Sequence, residues 1–118
     1  MSKSFKLIEE KFSEVDKEKQ WTYELKIAFN YQSIKKATIT DHYLISHKNV
    51  ITNQLIMELL EEMNGEILEP TRYRGKRKVF KWETEREINK KEKKYRLIFW
   101  FENNSSDWLW IKDCYPID

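Results

Sequence analysis

The stretch "WTYELKIAF", residues 21 to 29, alternates apolar and polar positions over nine residues. Trp21, Tyr23, Leu25, Ile27 and Phe29 fall on one side, and Thr22, Glu24, Lys26 and Ala28 on the other. Successive side chains of an extended chain point to opposite faces, so this pattern specifies a strand with one covered and one open face. A sheet built on it must find its covering layer elsewhere in a chain of 118 residues. "NYQS", residues 30 to 33, reads as a turn, and "IKKATIT", residues 34 to 40, as a second, shorter strand.

Helical periodicity supplies the cover. Phe5, Ile8, Phe12 and Val15 recur every three or four residues, with Leu7 at the border, and predict an amphipathic helix over residues 3–19 capped by Ser2 or Ser4. A second helix is expected at about 50–63. Its stripe is Ile51, Leu55, Leu59 and Met63, backed by Ile56 and Leu60, with Asn49 or Thr52 to start it and Asn64-Gly65 to stop it. Three further strands follow in "KRKVFKWET", "KYRLIFWFE" and "DWLWIKDCY". The charged run from Glu83 to Lys94 reads as an exposed hairpin connection or loop, and "ENNSSD", residues 102 to 107, as a turn. The predicted fold is α+β, in the order helix, strand, strand, helix, three-strand meander. A mostly antiparallel sheet of four to five strands would carry both helices on one face, within a single domain spanning 1–118.

Several chemistries are excluded by residue counts. One cysteine, Cys114, rules out an intramolecular disulfide and a cysteine-rich zinc site. Two glycines cannot build a phosphate-cradling glycine loop, and no Gly-x-Ser-x-Gly elbow occurs. No apolar run approaches the roughly 20 residues of a membrane span, and "MSKSFKLIEEKF" places charges where a signal peptide is apolar. A cytoplasmic protein without membrane contact is the expectation. The two histidines, His42 and His47, lack the spacing of a metal pair on a helix, so neither metal nor cofactor is expected.

Charge is unevenly spread. Between Arg72 and Arg96, twelve Lys or Arg stand against four Glu, an excess of +8, so the remainder carries −6 within a net charge of +2. In "RYRGKRKVFKW" the cations Arg72, Arg74, Lys76, Arg77, Lys78 and Lys81 interleave with aromatics ending at Trp82. Cations for phosphates beside rings for unstacked bases are what RNA binding requires; lysines guarding a sheet edge give the same pattern. Arg96, set among apolar residues in "YRLIFWF", must meet an anion, either a carboxylate such as Glu24 or a bound phosphate. Trp100, Trp108 and Trp110 are expected in the core, although exposed rings there would also suit a homodimer interface. Imidazole accepts and returns protons near neutral pH, so His42 and His47, in "ITDHYLISHKNV", are candidates for proton transfer.

"ITDHYLISHKNVITNQLIMELLE", the basic strand, "KKYRLIFWFE" and the terminal "WIKDCYP" together resemble the barnase–EndoU–colicin–RelE-like (BECR) toxin superfamily, in its phage- and toxin-associated branch, over about residues 37–116. The resemblance implies a metal-independent ribonuclease in which the 2′-hydroxyl attacks the adjacent phosphate, with RNA as substrate and an antitoxin as partner. Under it His42 matches the helix-entrance histidine, His47 a second histidine, Arg96 the strand cation and Tyr115 the terminal tyrosine. Asp113 stands where that pattern carries a hydroxyl residue. The alternative is a non-catalytic module of the same fold, binding nucleic acid or protein through its basic, aromatic face.

Overall fold

The computed structural model describes residues 5–43, 51–88, 91–102 and 105–117. Seven strands form one mixed sheet: β1 (Lys6–Ser13), β2 (Glu18–Phe29), β3 (Gln32–Thr40), β4 (Arg72–Arg74), β5 (Arg77–Ile88), β6 (Lys91–Phe101) and β7 (Trp108–Ile117). Their order is β1-β2-β3-β7-β6-β5-β4. Two antiparallel meanders, β1–β3 and β4–β7, meet where β7 runs parallel to β3. The helix α1 (Asn53–Glu62) lies between the meanders in sequence and packs on one face of the sheet. A parallel junction needs such a crossover, because its two strands must start from the same end.

The alternation in β2 sets the covered face. Leu25, Ile27 and Phe29 are buried while Glu24, Lys26 and Ala28 are exposed. Phe29 is fully buried and stands edge-on to Phe80 and Phe99, with ring centroids 5.2 and 5.3 Å away. Ile56, Met57, Leu59 and Leu60 of α1 close over these rings. Thr52 caps the helix, its hydroxyl accepting from the Leu55 amide at 3.0 Å. Arg86 of β5 ties the helix to the sheet through Glu58 and Glu62, at 3.0 and 3.1 Å. Beyond the helix, Gly65 at φ 91° turns its amide onto the Ala28 carbonyl at 2.7 Å, and Asn64 Oδ1 accepts from the Ala28 amide. The β2–β3 turn is made by Asn30 and Tyr31, both at positive φ, as a tight hairpin of two residues demands.

This architecture corrects the α+β expectation: seven strands replace four to five, and among the described residues one α-helix replaces two. Residues 5–19, the described part of the expected first helix, are not helical. From Lys6 they form β1 and a turn that runs back into β2, pairing Glu10 with Trp21 and Phe12 with Lys19. The three-and-four spacing of Phe5, Ile8, Phe12 and Val15 failed as a signal because nothing among the described residues covers such a stripe. Ile8, Phe12 and Val15 stay exposed, and only Phe5 packs, edge-on against Tyr23. Local hairpin contacts won instead, including Glu10 with Lys19 at 2.6 Å and Glu10 with the Trp21 indole at 3.2 Å. The charged run from Glu83 to Lys94 belongs mostly to paired β5 and β6 rather than to a loop. The second helix holds nearly as expected, at 53–62. No helix among the described residues is long and apolar enough to cross a membrane.

Candidate nucleic-acid interface

With α1 on one face, the opposite face carries its own chemistry. A lateral row runs from Thr22 through Thr38 and Trp110 to Trp100, each paired in register with the next on strands β2, β3, β7 and β6. Beside it lies Trp108, whose indole donates to Thr38 Oγ1 at 2.9 Å, while the Thr38 and Thr22 hydroxyls share a hydrogen bond of 2.7 Å. These bonds satisfy two buried threonines and fix the half-buried Trp108 ring, 6.2 Å from that of Trp110. Lys36 Nζ sits 4.0 Å over the Trp108 ring, and the Arg77 guanidinium 4.2 Å over the Trp100 ring. Trp100 is buried, and its Nε1 has no hydrogen-bond partner among the described residues. An indole N–H left without an acceptor costs free energy, so this donor is unspent.

Two hollows open on this face. One, of about 220 Å³, has Trp100 and Trp110 on its wall, the cations Arg77 and Lys112, the carboxylates Asp16, Glu18 and Glu102, and His42. The other, of about 440 Å³, shares Asp16, Glu102 and Trp110 and is floored by Thr22, Thr38 and Trp108. His42 reaches the first from a short 3-10 helix, Asp41–Tyr43, at the end of β3. Asp41 pins that turn to β2 by accepting from the Lys19 amide at 3.1 Å. The cleft is electrically mixed, with Arg77 already 3.9 Å from Glu102. Among the described residues, no three His, Cys, Asp or Glu side chains converge as metal ligands would.

The basic segment forms a hairpin at the far edge of the sheet. Gly75, at φ 65°, permits the tight turn that pairs Arg74 with Arg77, Tyr73 with Lys78 and Arg72 with Val79. Strand alternation then sorts its cations. Arg72, Arg74 and Arg77 share the face that carries the tryptophans, as does Lys81 farther along β5, whereas Lys78 shares the helix side with Tyr73. All of these, and Lys76 in the turn, are exposed. Trp82 is different: it points into the core at 8% exposure and offers no ring to a ligand.

Arg96 and Tyr115 do come together, paired across β6 and β7, with Arg96 Nη1 donating to the tyrosine hydroxyl at 3.1 Å. The anion that meets Arg96 is Glu83, its cross-strand neighbour on β5, rather than Glu24. The Tyr115 hydrogen bond and then the Glu83 carboxylate hold the guanidinium pKa above its ordinary value. Neither Arg96 nor Tyr115 lines the His42 cleft. His47 lies outside the described residues. Asp113 accepts from the adjacent Cys114 amide at 2.8 Å. Burial pushes the Cys114 thiol up to about 12, so it is no nucleophile.

Sequence reasoning missed Lys112, Thr40, Asp16 and Glu18; it expected Trp100, Trp108 and Trp110 in the core, and of these Trp100 is buried while Trp108 and Trp110 are half-buried on the open face. The alternation in "DWLWIK" does put Trp108, Trp110 and Lys112 on one face. Which face α1 covers was the missing fact. Protein-family models, curated proteins and solved structures contain no match to the chain, so the site rests on geometry.

Proposed function

We propose that the protein binds RNA across its open sheet face and cleaves it, without a metal, in the cleft bordered by His42. Arg77 carries this reading, because it belongs to both parts. It stands in register with Arg74 at the tip of the cationic hairpin, and its guanidinium roofs Trp100 in the cleft wall. A strand whose phosphates follow Arg72, Arg74 and Arg77 is led into the hollow, where Trp110 and Trp108 offer rings for its bases.

The mixed charge inside the cleft suits proton transfer better than tight anion binding. Cleavage by the 2′-hydroxyl needs one group to take its proton and another to protonate the departing 5′ oxygen. A carboxylate, Asp16 or Glu18, serves as proton acceptor, and His42 as proton donor. Lys112 and Arg77 meet the charge that builds on the phosphorane. The product is a 2′,3′-cyclic phosphate and a 5′-hydroxyl. The resemblance to BECR ribonucleases shares with this reading the helix followed by an antiparallel meander and the role of His42, whereas Arg96 and Tyr115, to which it also gives roles, stand outside the cleft.

End-labelled RNA of mixed sequence, incubated in excess EDTA, tests this. Wild-type protein yields fragments ending in cyclic phosphate, and His42→Ala cuts roughly 10²- to 10⁴-fold more slowly, the usual contribution of a positioned acid or base. RNA left intact, or cut equally by both, removes the catalytic reading. One observation favours binding without cleavage: Arg96 is satisfied by Glu83 and Tyr115, away from His42. On that reading RNA survives, and salt-sensitive affinity persists in His42→Ala. An antitoxin, where one exists, would compete with RNA for this face.

A further inference from the structure

Four of the seven large apolar side chains exposed among the described residues lie in one nine-residue stretch: Leu7, Ile8, Phe12 and Val15, at 43, 50, 56 and 91%. They belong to β1 and the turn after it, and β1 ends the sheet, so its outer edge pairs with no described strand. Edge strands usually carry charges that repel a newcomer. The charges of "KLIEEKFSE", residues 6 to 14, are instead ordered so that a reversed copy matches them.

We propose that β1 pairs antiparallel with β1 of a second copy of this chain, about a two-fold axis at Glu10. In that register Glu9 faces Lys11 twice and Ile8 faces Phe12 twice. Glu9 and Lys11 have no ion-pair partner among the described residues, so their charges are available. Glu10 meets itself at the axis, yet it brings its own counter-charge, Lys19 at 2.6 Å, and a second donor in the Trp21 indole. Neighbouring registers are worse. An axis at Glu9 sets Glu9 on Glu9 and Ile8 on Glu10; an axis at Lys11 sets Lys11 on Lys11 and Phe12 on Glu10. The bulge between Leu7 and Glu9 bends the strand there and centres the pairing on residues 8 to 12. Such a dimer is isologous and leaves both cationic hairpins free at its outer ends. Glu9, Lys11 and Phe12 also line the second hollow, so the dimer is tested without RNA, by a measurement whose outcome does not depend on RNA binding.

Sedimentation velocity on the full chain, from about 1 to about 300 μM, spans the range of a weak strand-paired dimer. Wild-type protein shows a concentration-dependent monomer–dimer equilibrium. Glu9→Lys or Lys11→Glu alone places two like-charge pairs at the axis and weakens the dimer roughly tenfold. The double variant E9K/K11E, unchanged in composition, restores wild-type affinity, and it carries the test if a single variant misfolds. A monomer at every concentration, a dimer indifferent to the single changes, or a double variant that fails to recover overturns the proposal.

Discussion

Removing Arg72, Arg74 and Arg77 together tests whether the hairpin holds a phosphate backbone. All three are exposed, lie on the tryptophan face by alternation, and sit in a two-residue hairpin whose turn they do not form. Each phosphate neutralised on a single strand releases about 0.7 of a counterion, so three contacts contribute about 2 to the slope of log affinity against log salt. Between 50 and 200 mM salt that slope amounts to an affinity loss of roughly 18-fold. The variant R72A/R74A/R77A should therefore bind more weakly at low salt and lack that part of the salt response. Fluorescence anisotropy with a short unstructured RNA, repeated across a salt series, reads the slope directly. Arg77 leans on Trp100 and Glu102, so R72A/R74A is the control, losing two-thirds of the effect. An unchanged slope would mean that the positive segment is only a guarded sheet edge.

Other expectations follow from the same structure. Trp110→Ala should cost about 1–3 kcal/mol of affinity for single-stranded RNA, the worth of a stacked base, with little change in the circular dichroism spectrum. Phe29→Ala, emptying the centre of the Phe80–Phe99 cluster, should lower stability by about 3–5 kcal/mol in urea titration. Cys114 should resist thiol reagents at pH 8 until the chain is unfolded, because burial raises its pKa to about 12. Since the unfolded thiol ionises near its ordinary 9.0, stability should fall as pH rises above 9, and Cys114→Ala should flatten that fall.

The strand pattern from Trp21 to Phe29, the helix after Thr52 and the final meander were legible because their periodicities report burial that the fold in fact provides. The stretch from Lys6 to Lys19 was not. The helical spacing there is genuine, but Ile8, Phe12 and Val15 are left in solvent, so period alone could not identify an edge strand. The site divided along the same line. The charge excess of the Arg72–Lys81 segment needed no structure to be seen, and Arg96 meeting an anion followed from the cost of burying a lone guanidinium. The identity of that anion, Glu83, depended on the β5–β6 register, which is a long-range property. Likewise, that the tryptophans of β6 and β7 lie on the face away from α1 depended on knowing which side of the sheet the helix covers. Lys112 and Glu18 meet His42 through the sheet order, and no local motif carries that order.

Photo-crosslinking of a short single-stranded RNA, with mass-spectrometric mapping of the attached peptides, tests the central claim most directly. RNA running from the cationic hairpin into the His42 cleft should attach to peptides containing Trp108, Trp110 and residues 72 to 78, with the adducts lost in R72A/R74A/R77A. Adducts concentrated on α1, or retained in that variant, would contradict it.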